Sequence, residues 1–335
     1  MPSVAILGAG AWGTALAVHL AERAAANPSI TLWLRDASQA RALADTRANA
    51  KYLPGIALPS AITVSSDLRA ASRAEMLFAA TPVAALPELA RELQRCGARS
   101  PLIWLSKGFV TSKELPAGVG LVHQVLAPMW PAPVGIASGP TFAEEVARGL
   151  PTALTVAATE PGLASRVATL LRAETLRAYE SDDLAGVEIG GAVKNVLAIA
   201  AGASDGLAFG HNARAALITR GLAETGRLSS ALGGKRETLM GLAGLGDLVL
   251  TCTGDLSRNR RVGLALARGQ KLPAILAELG HVAEGVTSAT DVRALAAHYG
   301  VEMPICEAVY RVLYENLPAQ LAVEALLSRE PRSER

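Results

Sequence analysis

Lys194 stands in the run Gly190-Gly191-Ala192-Val193-Lys194-Asn195-Val196-Leu197-Ala198, an ammonium among small and apolar residues. On a helix its neighbours at i−4, i−3, i+3 and i+4 are Gly190, Gly191, Leu197 and Ala198, so the local sequence offers no counter-ion. Only six of the 32 basic residues are lysine, at 51, 107, 113, 194, 235 and 271. Arginine keeps its proton near neutral pH, whereas a desolvated lysine can give one up, so a lysine here has the chemistry of a general acid or base. A lysine laying its stem along an apolar stripe with its head in water has the same local sequence. This window leaves both readings open.

A counter-ion has to come from elsewhere in the chain. Gly241-Leu242-Ala243-Gly244-Leu245-Gly246-Asp247 is a glycine-rich approach to a lone acid. Asp247 can orient Lys194, accept a hydrogen bond from a substrate hydroxyl, or cap a turn. Ser257-Arg258-Asn259-Arg260-Arg261 precedes a helical stretch with Ser257 as its N-cap. A helix start, a forked guanidinium and an amide donor make an anion site, and an ordinary capped helix with solvated arginines is the plainer alternative.

Gly8-Ala9-Gly10-Ala11-Trp12-Gly13 fits G-x-G-x-x-G, follows an apolar run and opens a helical one. Backbone N–H groups and the helix dipole at such a turn receive a pyrophosphate. Arg35 ends the second apolar run, where NAD-specific sites place an acid, and Asp36 follows it. An arginine there pairs with a 2′-phosphate, so the pattern favours NADP(H) while leaving Asp36 for the ribose of NAD(H).

Two further loops follow apolar runs where open α/β sheets bind ligands. One is Ser106-Lys107-Gly108; the other is Ser138-Gly139-Pro140-Thr141-Phe142-Ala143-Glu144. Thr141 with Glu144 reads as a capping box, which leaves Gly139-Pro140 free to bring backbone close to a ligand. Glu284 is either a cofactor contact or a helix-start acid. His123, His211, His281 and His298 have no metal-ligand spacing, and Cys252 reads as a small buried residue. Cys96, Cys252 and Cys306 are odd in number and far apart, which argues against a disulfide framework or zinc site and suits a reducing cytoplasm.

These residues need a scaffold. Apolar runs at Val4–Leu7, Ile30–Leu34, Met76–Ala80, Leu102–Leu105, Val134–Ala137, Thr152–Ala157 and Leu176–Tyr179 read as strands. Helical patterns at Thr14–Ala26, Pro87–Cys96 and Gly162–Arg172 lie between them. The alternation predicts an amino-terminal doubly wound, mostly parallel sheet of Rossmann type over 1–183. From 184 the strand signal stops. Helical patterns over 184–201, 212–231, 258–268, 272–279, 286–299 and 305–327 predict an all-helical domain over 184–335. Composition agrees with a buried globular α/β protein: 50% hydrophobic, 19% charged, net charge +2, which gives nucleic-acid binding no support. Val4–Ala21 is uncharged over a membrane-spanning length, but its glycines read as strand, turn and helix. No other stretch reads as a span.

The chain resembles bacterial NAD(P)-dependent glycerol-3-phosphate dehydrogenases over nearly its whole length. The likeness is carried by the glycine turn, Leu32-Trp33-Leu34-Arg35-Asp36, the two loops at 106–108 and 138–143, Gly190 to Glu224, and Gly241 to Arg261. It implies that Lys194 exchanges a proton with the C2 oxygen of the substrate. It implies contacts to dihydroxyacetone phosphate or sn-glycerol 3-phosphate from Lys107, Gly139, Thr141, Asp247, Ser257, Arg258 and Asn259. For NADP(H), and also NAD(H), it implies the turn glycines Gly8, Gly10 and Gly13 with Trp12, Arg35, Lys107, Ala143, Arg258, Val282 and Glu284. The family often has Ser where this chain has Ala11, which removes one hydroxyl near the pyrophosphate. Domain closure around both ligands, a cytoplasmic homodimer and a supply role in glycerophospholipid synthesis come with the resemblance. Two other readings are a two-domain dehydrogenase of the β-hydroxyacid type and an NADP(H) sensor without catalysis.

Overall fold

A computed structural model describes residues 2–279 and 283–328. It forms two compact units, Met1–Ser112 with Leu121–Glu188, and Lys113–Gly120 with Ile189–Arg335.

The first unit runs β1 (Ser3–Leu7), α1 (Ala11–Glu22), β2 (Ser29–Trp33), α2 (Ala37–Thr46), β3 (Ile62–Ser65), α3 (Leu68–Ala71), β4 (Met76–Ala79), α4 (Leu86–Arg95), β5 (Leu102–Trp104) and β6 (Val110–Thr111). The two-residue β7 (Val119–Gly120) falls in the second unit. The first then resumes with α5 (Val122–Met129), β8 (Val134–Ser138), α6 (Ala143–Ala147), β9 (Thr152–Ala158), α7 (Pro161–Leu171) and β10 (Leu176–Ser181).

The eight-stranded sheet has the order β10-β9-β8-β5-β4-β1-β2-β3. All neighbours are parallel except β8 and β9. The six strands from β3 to β8 thus have the doubly wound order in which the chain reverses direction at β1 and β4. Strands such as β4, Met-Leu-Phe-Ala and buried throughout, have no polar face because helices cover the sheet on both sides.

All seven expected strands form. β3 lacks an apolar signal because it is a short edge strand in which Ile62 alone is fully buried, Thr63 being exposed and Ser65 half-buried. The first helix starts at Ala11, three residues earlier than the pattern suggests, because the glycine turn feeds straight into it. α2 escapes the apolar pattern because it buries only Ala40 and Leu43.

The second unit is helical: the greater part of α8 (Leu184–Gly206), α9 (Gly210–Ala231), α10 (Asp247–Thr253), α11 (Arg258–Ala267), α12 (Leu272–Leu279), α13 (Glu284–Tyr299), α14 (Pro304–Tyr314) and α15 (Ala319–Leu327). The helix expected over 305–327 is therefore two. Pro318 lacks the N–H and its ring clashes with a preceding turn, and Asn316 just before it is left-handed at φ 56°. A 3-10 turn at Glu237–Met240 and a π turn at Leu242–Gly246 lead into α10.

Among the described residues one helix, α8, is long and apolar enough to cross a membrane, a candidate the sequence reading passed over; 89% of its most apolar window is buried in the protein. Val4–Ala21 forms β1, the turn and most of α1. Glu224 of α9 reaches the start of α14, where its carboxylate accepts N–H bonds from Ile305 at 2.8 Å and Cys306 at 3.3 Å. Burial lifts that carboxyl to about 7 against the lowering effect of those two bonds.

Candidate active site

In the first unit the glycine turn packs backbone on backbone. A Cβ at Gly13 would lie 2.0 Å from the Gly8 carbonyl oxygen, so only glycine lets α1 start against the end of β1. Gly10, by contrast, faces open space, with nothing within 4 Å of an added Cβ, and the start of α1 has no side-chain cap. Uncapped N–H groups at the positive end of a twelve-residue helix, fronted by room that a side chain would fill, fit a pyrophosphate. Asn49 braces the turn from outside: its amide donates to Ala9 O and to Thr14 Oγ1, each at 2.8 Å.

Trp12 is half-buried beside the turn, and Arg35 is exposed just after β2. Asp36 caps α2, its Oδ1 accepting from Ser38 Oγ at 2.6 Å, Ser38 N at 2.8 Å and Gln39 N at 3.0 Å. The Ser38 hydroxyl first, and the Gln39 amide next, hold its pKa below the usual carboxylate range. The acid beside Arg35 is thus engaged with its own helix.

Lys107, Gly139 and Thr141 come together. Lys107 Nζ donates to Gly139 O at 2.9 Å and Thr141 Oγ1 donates to the same oxygen at 3.0 Å. The capping box read from Thr141 and Glu144 does not form. α6 begins at Ala143 with Phe142 at its N-cap, so Thr141 lies one residue too early and turns back to Gly139, while Glu144 pairs with Arg148 at 2.7 Å.

In the second unit Lys194 is buried at 7% exposure, which removes the snorkelling reading. Its Nζ donates to Asp247 Oδ1 at 2.5 Å and to Thr251 Oγ1 at 3.0 Å, and Thr251 Oγ1 donates to the Asp247 carbonyl at 2.6 Å. Asp247 is 1% exposed. Two charges taken this far out of water persist only as a pair.

Backbone proximity brings them into reach. Gly190, one turn before Lys194 on α8, would place a Cβ 2.5 Å from the carbonyl oxygen of Ala243, in the π turn just ahead of Asp247. Any side chain at 190 would hold the two segments apart.

Next to the pair runs an amide relay across three helices. Asn259 Nδ2 of α11 donates to Asn195 Oδ1 of α8 at 2.9 Å, and Gly285 N of α13 donates to Asn259 Oδ1 at 3.0 Å. Asn195 Nδ2 reaches Glu284 Oε2 at 3.4 Å, so Glu284 both opens α13 and joins the relay. Ser257 caps α11, accepting from Arg260 N at 3.2 Å. Arg258, the first residue of that helix, is exposed and makes no ion pair among the described residues. Arg260 points elsewhere, bound to Asp205 at 2.8 Å and Asp255 at 2.9 Å. Val282, expected along the cofactor, lies outside the described residues, as does His281.

Thr251, Asn195 and Asn49 escaped the sequence reading. Thr251 had a signal, its i+4 spacing from Asp247 on one helix; Asn195 adjoins Lys194. The pair His123 and Glu188 had none, being 65 residues apart. Glu188 is buried and accepts from His123 N at 3.2 Å as well as pairing with the ring Nδ1. Burial drives Glu188 upward against the opposing pull of His123; for His123, burial lowers the pKa but the Glu188 bond and charge together raise it. Cys252 is buried, and burial pushes its thiol up to about 12.

An ammonium held by a buried carboxylate and a hydroxyl can stabilise negative charge growing on an oxygen and then supply its proton. The uncapped glycine turn suits a dinucleotide, and the start of α11 with Arg258 suits an anion.

Known proteins match the chain along its length. A family model described as the N-terminus of NAD-dependent glycerol-3-phosphate dehydrogenase matches residues 3–164, and one for its C-terminus matches 183–324. A protein of Aromatoleum aromaticum named glycerol-3-phosphate dehydrogenase [NAD(P)+] is 55% identical over 99% of both chains. One of the same name from Cupriavidus necator is 54% identical over 98% of both. The crystal structure of glycerol-3-phosphate dehydrogenase from Coxiella burnetii superposes with a TM-score of 0.91 at 41% identity, covering 98% of this chain and 99% of that one.

Proposed function

The chain belongs to the NAD-dependent glycerol-3-phosphate dehydrogenase family, and from that premise we propose that it reduces dihydroxyacetone phosphate to sn-glycerol 3-phosphate with NADPH or NADH, reversibly. The observation that carries this reading is the buried Lys194 ammonium tied to Asp247 and Thr251. Residues 1–183 act as the dinucleotide domain and 184–335 as the substrate domain.

The cofactor, when bound, supplies a hydride to C2 of the ketone. Gly8, Gly10 and Gly13 with the start of α1 hold its pyrophosphate, Arg35 its 2′-phosphate, and Trp12 and Ala143 belong to the same unit, while contacts from Val282 and Glu284 are assigned on the family resemblance. Arg258, Ser257, Asn259 and the start of α11 hold the substrate phosphate and fix the ketone in one orientation, which lowers the entropic part of the barrier, and Lys107, Gly139 and Thr141 are assigned to the substrate on the family resemblance. Lys194 stabilises the developing alkoxide and passes a proton to it, while Asp247 keeps the nitrogen aimed and Thr251 fixes both partners. In the oxidative direction the neutral amine takes the proton from the C2 hydroxyl. The separated cysteines support a reducing, cytoplasmic setting, and a homodimer supplying glycerophospholipid synthesis is proposed on the family resemblance.

The test is NADPH oxidation by purified protein against a panel of ketones with and without a phosphate group. Turnover is expected on dihydroxyacetone phosphate and not on dihydroxyacetone or on branched keto acids. NADPH binding without turnover of dihydroxyacetone phosphate sinks the substrate assignment, and turnover of a keto acid instead transfers it to the β-hydroxyacid class.

A further inference from the structure

Six buried side-chain nitrogen or oxygen atoms have no hydrogen-bond partner among the described residues. Four of the six lie at the carboxyl ends of three adjacent strands. They are Thr81 Oγ1 just past β4, Trp104 Nε1 in the last residue of β5, Ser106 Oγ two residues later, and Ser138 Oγ in the last residue of β8. A buried hydroxyl without a partner costs the desolvation of that group, and such groups are normally rare and scattered. Four along one edge of one sheet mark a place completed by something polar.

The topology says which part of the ligand reaches it. Arg35 follows β2, on the β1-β2-β3 side of the glycine turn, so the adenosine half lies there. The other half of the dinucleotide must extend across β4 and β5, which continue the sheet on the opposite side of β1. Thr81 stands nearest the turn: a Cβ at Gly8 would lie 2.9 Å from Ala80 O and 3.3 Å from Thr81 N. Ser106 is one strand further, about 4.8 Å along the sheet. Ser138, beside Gly139, ends the row next to the Lys107 and Thr141 cluster.

We propose that Thr81 binds the nicotinamide ribose and Ser106 the nicotinamide carboxamide, making these two hydroxyls the polar contacts that recognise the reactive end of the cofactor. A ribose hydroxyl and a carboxamide each carry both donor and acceptor, so either can satisfy a hydroxyl that has neither. The proposal rests on the dinucleotide reading above. It adds to it the residues that distinguish the nicotinamide half from the adenosine half.

The experiment titrates wild type, Thr81→Val and Ser106→Ala with NADPH, with 2′-phospho-ADP, which lacks both the nicotinamide and its ribose, and with the 3-acetylpyridine analogue of NADPH, which lacks the carboxamide nitrogen. Each variant is expected to bind NADPH about fivefold more weakly, the loss of one neutral hydrogen bond, and 2′-phospho-ADP within twofold of wild type. The penalty of Ser106→Ala is expected to shrink with the acetylpyridine analogue, and that of Thr81→Val to persist. Thr81→Ser and Ser106→Thr keep the hydroxyl and are expected to restore NADPH affinity. Without ligand, both truncated variants should melt no lower than wild type, because the groups removed have no protein partner. Equal weakening for both ligands, no weakening for either, or a fall in the melting temperature of the free protein overturns the inference while leaving NADPH binding intact. Failure of the wild type to bind NADPH overturns it together with the dinucleotide reading.

Discussion

Gly190 and Ala243 meet backbone to backbone, with room between them for a hydrogen atom and not for a methyl group: a Cβ on Gly190 would stand 2.5 Å from the Ala243 carbonyl oxygen. The contact lies one turn ahead of Lys194 on one segment and just ahead of Asp247 on the other. The length of the Lys194–Asp247 bond is therefore set by a glycine that touches neither charge.

Gly190→Ala is expected to push the π turn off α8 and lengthen that bond. Misplacement of a catalytic group by about 1 Å costs on the order of 100-fold in rate. Steady-state kinetics should show a fall of that order in kcat, with the NADPH dissociation constant unchanged. A variant with wild-type kcat refutes the link between the two contacts.

On the proposed role of Lys194 as proton donor, Lys194→Met should lower kcat by about 10²- to 10⁴-fold. It also leaves Asp247 buried without its ammonium, a loss of about 3–5 kcal/mol in stability. In Lys194→Met combined with Asp247→Asn the stability is expected to return while activity does not. Chemical denaturation of the two variants, side by side with turnover, checks both halves; additive stability losses would show that the two side chains are not coupled.

Glu224 gives a pH dependence. Its folded-state pKa is raised from 4.5 to about 7, so the folded protein holds a proton that the unfolded chain releases. Its contribution is fully present below the unfolded value and is lost as pH rises through about 7. At 1.36 kcal/mol per pH unit the whole swing is about 3 kcal/mol. Unfolding free energies at several pH values from 5 to 8.5 should fall with rising pH in the wild type and flatten in Glu224→Gln. Parallel curves for the two proteins would remove Glu224 as the cause.

Arg35→Ser should weaken NADPH and spare NADH, because the guanidinium addresses a phosphate that NADH lacks. A charge-assisted contact at an exposed site suggests about tenfold, read as the ratio of the two dissociation constants and shrinking with salt. Equal loss for both cofactors would place Arg35 outside the adenosine site.

Much of the fold was legible in the sequence. The seven strands were: those inside the sheet, such as β1, β4 and β5, because a strand covered on both faces reads as an apolar run, and the edge strand Leu176–Ser181 because Leu176 and Ala178 alternate inward. The edge strand Ile62–Ser65 and the polar helix Ala37–Thr46 were not, because their stability comes from pairing and capping by Asp36 and not from an apolar period. Lys194 and Asp247 could each be singled out as odd in their own windows, yet only the fold puts them 2.5 Å apart. Thr141 misled, since a capping box depends on where the helix begins, and Phe142 rather than Thr141 occupies that position. His123 and Glu188 left no trace, as nothing in either local sequence points at a partner 65 residues away.

Cys252 sits beside Thr251 on the helix that carries Asp247, and burial lifts its thiol to about 12; Cys306, equally buried, is raised as well. Burial both shields these sulfurs and favours the thiol over the thiolate, so neither is expected to meet an oxidant or an alkylating reagent as a nucleophile in the folded protein. Iodoacetamide should mark the partly exposed Cys96 and leave the other two untouched in the folded protein. The helix that carries Asp247 thus places a sulfur shielded by burial beside Thr251, and Cys96 is left as an attachment point for a probe.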